Sequence, residues 1–244
     1  MKKLSLLLFV CFLLGCDSDG TNSDSTFSDN GQGGSLARFA LYNNYLYVVD
    51  NQDLNVFSVI NKEEPVQVNT VPIGFNIETI FSYSNYLYIG SRNGMFIYNV
   101  NNPEEPTYIS DVQHFTACDP VVANDTHAFV TLHTNIGCGN NINALEVYDI
   151  TEITNPVLVS RKHLTQPIGL ALYNNYLFVC DDEVKIFDIS DPEDSQLVAS
   201  IDVDSFDVII NNEIIVLIGE NGLYQYRLDP NDITNIAQLS TINI

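Results

Sequence analysis

Three carboxylates stand at spacings that would let them act together. Glu78, Asp119 and Asp207 precede recurrent turn signals by six, six and four residues. Even separations place side chains on one face of an extended strand, so strands grouped around an axis could converge these acids on a cation or a sugar. Two carboxylates roughly 5–10 Å apart would also serve to cleave a glycosidic bond. Acids that cap strand ends or accept backbone hydrogen bonds would show the same spacing with no reaction attached. A second constellation is His114, Cys118, His133 and Cys138. Cys and His are zinc ligands, but their spacing here matches no compact zinc signature, and no metal is expected. The chain has no Gly-rich phosphate loop, no nucleophile elbow, no HExxH and no basic stripe. No catalytic residue and no cofactor is therefore assigned.

The elements that must position these residues are strands. Of 244 residues, 45% are hydrophobic and only 16% charged, with 13 Tyr and 13 Phe. That mixture builds a sizeable core and favours strands joined by tight turns. A net charge of −22 repels phosphate backbones, so nucleic acid is excluded as a partner.

One unit recurs five times. Tyr45-Leu46-Tyr47-Val48 returns as Tyr86-Leu87-Tyr88-Ile89, His127-Ala128-Phe129-Val130, Tyr176-Leu177-Phe178-Val179 and Ile214-Ile215-Val216-Leu217. The starts lie 41, 41, 49 and 38 residues apart. A second apolar run follows each start, then a polar turn and a third run. A fourth run precedes each start and closes on Asn43-Asn44, Ser84-Asn85, Asn174-Asn175 or Asn211-Asn212, residues that tolerate hairpin turns. Four short strands per unit of about 40 residues is the period of a β-propeller blade. The expected fold is all-β: a propeller of five four-stranded antiparallel blades, near 36–74, 75–116, 117–166, 167–204 and 205–244. No blade borrows a strand from the other end of the chain, so closure must rest on packing between blades one and five.

Naming the strands of a blade A to D, the D–A and B–C connections share one end of the ring. That end gathers the reactive residues: Arg92, Asp182 and the long third loop from His133 to Asn143, with His114 and Asp207 in or beside the D–A connections. It is the expected ligand-binding end, with Glu78, Asp119, Asp207, His114, His133, Arg92 and Asp182 as its candidates. Cys180 ends a B strand and reads as a buried, unpaired thiol.

The N-terminus is an address. Lys2-Lys3 precedes an apolar run from Leu4 to Leu14, too short to span a bilayer. The ending Leu13-Leu14-Gly15-Cys16 resembles the lipobox of bacterial lipoproteins, which implies a signal peptide over 1–15 and acylation of Cys16. Residues 17–35, rich in Ser, Asp, Asn and Gly, predict a flexible tether. Their acidic start resembles the signal that sends some lipoproteins outward, so an outer-membrane address with cell-surface exposure is expected. In an oxidising compartment Cys118 and Cys138, both at one end of blade three, are expected to form a disulfide. That bridge would close a loop of about 20 residues and contribute on the order of 3 kcal/mol.

The repeats also resemble the LVIVD-repeat family of lipoprotein β-propellers. The most specific stretches are Ile77-Glu78-Thr79-Ile80-Phe81, Gly94-Met95-Phe96-Ile97-Tyr98, Ala117-Cys118-Asp119-Pro120-Val121-Val122, Val184-Lys185-Ile186-Phe187-Asp188-Ile189-Ser190-Asp191-Pro192 and Gly222-Leu223-Tyr224-Gln225-Tyr226. The resemblance covers essentially all of 36–244 and implies fold and address but no reaction. The expected role is a membrane-anchored, non-catalytic module that binds a protein, glycan or small molecule at the loop-rich end. The alternative is a glycan-acting enzyme using the axial acids Glu78, Asp119 and Asp207.

Overall fold

The computed structural model describes residues 33–113, 120–134 and 142–244. Those residues form five four-stranded antiparallel sheets, each built from consecutive strands. Blade one is β1 (Phe39–Tyr42), β2 (Tyr45–Val49), β3 (Asp53–Ser58) and β4 (Val66–Pro72). Blade two is β5 (Ile77–Tyr83), β6 (Tyr86–Ser91), β7 (Gly94–Asn99) and β8 (Thr107–Gln113). Blade three is β9 (Val121–Ala123), β10 (His127–Leu132), β11 (Ala144–Asp149) and β12 (Val157–His163). Blade four is β13 (Leu170–Tyr173), β14 (Tyr176–Cys180), β15 (Val184–Asp188) and β16 (Gln196–Ile201). Blade five is β17 (Asp207–Asn211), β18 (Ile214–Gly219), β19 (Gly222–Asp229) and β20 (Asp232–Asn243). The described residues hold one short helical turn, Pro192–Asp194. None of their helices is long and apolar enough to cross a membrane.

The polar doublets of the sequence are the A–B hairpins. Asn43, Asn44, Ser84, Asn174 and Asn212 all have φ between 49° and 63°, the left-handed region that two-residue hairpins require. Each outermost strand carries the same irregularity. Val68, Ile109, Val159, Val198 and Leu239 are each left unpaired where the register to the C strand slips by one residue. A bulge of this kind sharpens the twist and blunts an exposed edge against pairing with other chains. Periodicity alone does not disclose it, because each bulge is a slip of a single residue within a short strand.

Successive blades are joined by packing and by polar bonds to the next blade. Asn69 Nδ2 donates to the Glu104 carbonyl at 2.8 Å, and Ser110 Oγ to the Ile153 carbonyl at 2.6 Å. Lys162 repeats the contact on Ser195 O in blade four. The buried side chains fall into three clusters, spanning blades one and two, blades two to four, and blades four and five. None of these clusters joins blade five to blade one. The inner strands of neighbouring blades pack together along the array, but β1 has no comparable packing on β17. The seam faces are apolar and only half-buried: Leu41, Leu46, Val48 and Phe57 on blade one, and Ile209, Val216, Ile218 and Leu223 on blade five. Phe39, on the same face of blade one, is 57% exposed. The side-chain packing between blades one and five that was expected to close the ring is not found among the buried clusters of the described residues.

Candidate functional site

At the end of the ring formed by the D–A and B–C connections, a cleft of about 340 Å³ opens between blades four and five. Thr165, Gln166 and Ile168 enter it from the connection into blade four, and Asp181 and Asp182 from the B–C turn of that blade. Asp204, Ser205 and Phe206 enter from the connection into blade five, with Glu220 from that blade's B–C turn. The rigid ends of β14, β16 and β18 hold these short turns. The volume suits a small polar ligand. Phe206 is 37% exposed and offers an apolar face among the carboxylates.

The wall of the cleft is tightly bonded. Asp181, 5% exposed, accepts hydrogen bonds from the backbone N–H groups of Thr165 and Gln166 and from Lys185 Nζ at 2.6 Å. The same ammonium reaches Asp182 Oδ1 at 2.6 Å. The hydrogen bond from Lys185 holds the Asp182 carboxyl below its usual range. Burial works against the Lys185 charge, yet its bonds to Asp181 and Asp182 hold the ammonium above its ordinary value. Asp181 therefore positions the loop, while Asp182, half in solvent, remains able to meet a ligand. Behind the wall Ser205 Oγ donates to Cys180 Sγ at 3.3 Å. Cys180 is a free, buried thiol, pushed up to about 12 by burial first and by the Asp207 charge in addition. It has no thiolate character at neutral pH.

The other candidates are distributed around the ring. Glu78 occupies a bulge in β5: Ile77 pairs with Ser91 and Thr79 with Gly90, leaving Glu78 opposite neither. That slip breaks the strict alternation on which the even spacing relied. Glu78 is bonded to Arg92 Nε at 2.7 Å. Asp207 opens β17 and is 8% exposed. Its carboxylate accepts the N–H of Val208 at 3.0 Å, the hydroxyl of Ser35 at 3.3 Å, and the backbone N–H groups of Ser35 and Leu36. Burial pushes its pKa up to about 6 against those bonds. The structure thus brings Glu78 to Arg92 and Asp207 to the chain before blade one, each acid committed to its own local partner. His133 is buried just beyond β10. His114, Cys118, Asp119 and Cys138 lie outside the described residues, as does Cys16. Among the described residues no three His, Cys, Asp or Glu side chains are grouped to hold a metal ion.

Two polar groupings escaped the sequence reading. One is the Asp181–Lys185 pair behind the candidate Asp182. The other is Glu146, completely buried in β11, bonded to Arg161 Nε at 2.7 Å and to the Tyr148 hydroxyl. A lone acid inside the apolar run Ala144–Tyr148, with Arg161 and Lys162 on the following strand, was the available signal.

Residues 33–71, 79–113 and 168–203 match the LVIVD repeat. The chain carries LVIVD repeats. The matched copies fall on blades one, two and four. No curated protein matches the sequence. Among solved structures, a protein from Lactobacillus plantarum is similar over 82% of this chain and 69% of its own, at 11% identity and a TM-score of 0.68. The periplasmic gluconolactonase PpgL of Pseudomonas aeruginosa matches over 82% and 68%, at 14% identity and a TM-score of 0.62. The computationally designed Ika8 protein matches over 84% of this chain and 60% of its own, at 11% identity and a TM-score of 0.60. At these identities the likeness is one of fold, and the LVIVD repeats here build a β-propeller.

Proposed function

We propose that this LVIVD-repeat propeller is a lipid-anchored, outer-membrane, surface-exposed binding module, and that its ligand seats in the cleft between blades four and five. The cleft itself carries the reading: a small-molecule-sized cavity with an exposed Phe206 and an Asp182 carboxylate, on the end where the connecting turns gather. Binding is favoured over catalysis because Glu78 and Asp207, the described acids proposed for chemistry, are tied to Arg92 and to Ser35–Leu36. A carboxylate held by structural donors is poorly placed to shuttle protons.

The anchor rests on Lys2-Lys3, the short apolar run and Leu13-Leu14-Gly15-Cys16. Each buried methylene of an acyl chain contributes about 0.8 kcal/mol, and two or more chains hold a protein at a membrane stably. Wild type should therefore enter the detergent phase in a phase-separation assay, and Cys16→Ser should stay in the aqueous phase. Identical partitioning of the two would refute the anchor. A glycan and metabolite screen by thermal shift tests the site, and a hit should lose its stabilising effect in Phe206→Ala.

A further inference from the structure

The six described residues ahead of β1 lie among the inner strands of the other four blades. Gly33 lines a narrow space on the axis together with Phe81, Val122, Leu170 and Ile210. Ser35 Oγ accepts the Leu170 N–H at 2.8 Å, tying this segment to blade four. The same hydroxyl donates to Asp207 in blade five, which also takes the N–H groups of Ser35 and Leu36. The Ala37 carbonyl accepts the Ile80 N–H at 2.9 Å, and Arg38 Nη2 donates to the Ile77 carbonyl at 3.1 Å, both in blade two. A turn closed by Ala37 N–H on the Gly34 carbonyl at 3.0 Å sets the bend between these contacts.

The fit around the Asp207 carboxylate is close. A methyl group added at Gly34 would stand 2.0 Å from Oδ2, and one at Gly169 would stand 2.6 Å from Oδ1. The acid is pressed between two backbones that only glycine leaves open. Its partners span 172 residues of sequence, from the start of the first blade to the start of the last.

We infer that residues 33–38 are a closing strap that latches the ring through Asp207, in place of the strand exchange or extended packing that could otherwise join the first and last blades. Blades one and five have no buried cluster in common, and their facing sides are half-exposed and apolar. The strap is therefore the connection whose loss opens that one seam and leaves the other four interfaces intact. Opening would further uncover the half-buried Val48, Ile209 and Val216. The strap also joins blade one directly, so a pull on the preceding chain loads this latch first.

Hydrogen–deuterium exchange on the full chain in mild detergent tests the strap. Asp207→Ala should speed exchange about tenfold or more in β1, β2, β17 and β18, with β9, β10 and β11 unchanged. Ser35→Ala removes one hydroxyl and keeps falsifiability should Asp207→Ala fail to fold; it should give a smaller rise in the same strands. In a double-mutant cycle the two substitutions should be strongly non-additive. Exchange that rises equally in all five blades, or does not rise at the seam in Ser35→Ala, would overturn the inference.

Discussion

Arg161→Ala is expected to destabilise the protein by about 3 kcal/mol. Glu146 has no solvent exposure, and Arg161 supplies its ion pair from the neighbouring strand. With the guanidinium gone, the Tyr148 hydroxyl is the side-chain donor left to this buried carboxylate among the described residues. An uncompensated buried charge costs far more than an exposed pair contributes. Replacing both partners with leucine should recover most of the loss, because an apolar pair leaves no charge to satisfy. Guanidinium midpoints of the three proteins at neutral pH decide the matter.

The second large effect belongs to Asp207. Its carboxyl titrates at about 6 in the folded chain because burial outweighs the four donors around it. Cys180 is the titratable neighbour, and it stays neutral through this range. Since the folded pKa lies above the ordinary 3.8, protonated Asp207 stabilises the fold below about pH 4. That contribution fades as pH rises through 6, and a shift of this size corresponds to about 2–3 kcal/mol. Wild type should thus lose stability from pH 4 to 7 relative to Asp207→Asn, whose amide does not titrate. Parallel pH profiles for the two would show that Asp207 titrates normally.

The repeat was legible because strand alternation, apolar anchors and Asn turns recur in register: Asn43-Asn44 and Asn174-Asn175 read directly as the hairpins they form. Asp182 and the gathering of loops at one end followed from strand order alone. Three things did not. Glu78 sits on a bulge, and a one-residue slip is invisible to even-spacing arguments when the flanking residues, Ile77 and Thr79, both suit a strand. Asp207 was legible as an inner-strand acid able to accept backbone hydrogen bonds, but its partners Ser35 and Leu36 lie far away in sequence, at the junction of a stretch that reads as a linker and the first blade. Glu146 was missed because the eye passes over one acid in a strand run, although full burial makes its pairing with Arg161 obligatory.

Titration calorimetry of a hit from the glycan and metabolite screen tests the central claim most directly, with wild type, Phe206→Ala and Glu78→Gln compared. The account predicts one saturable site per chain, affinity weakened about tenfold or more by Phe206→Ala and unchanged by Glu78→Gln, and a ligand recovered chemically intact. Equal affinity in wild type and Phe206→Ala, or a converted product whose formation stops in Glu78→Gln, would contradict it.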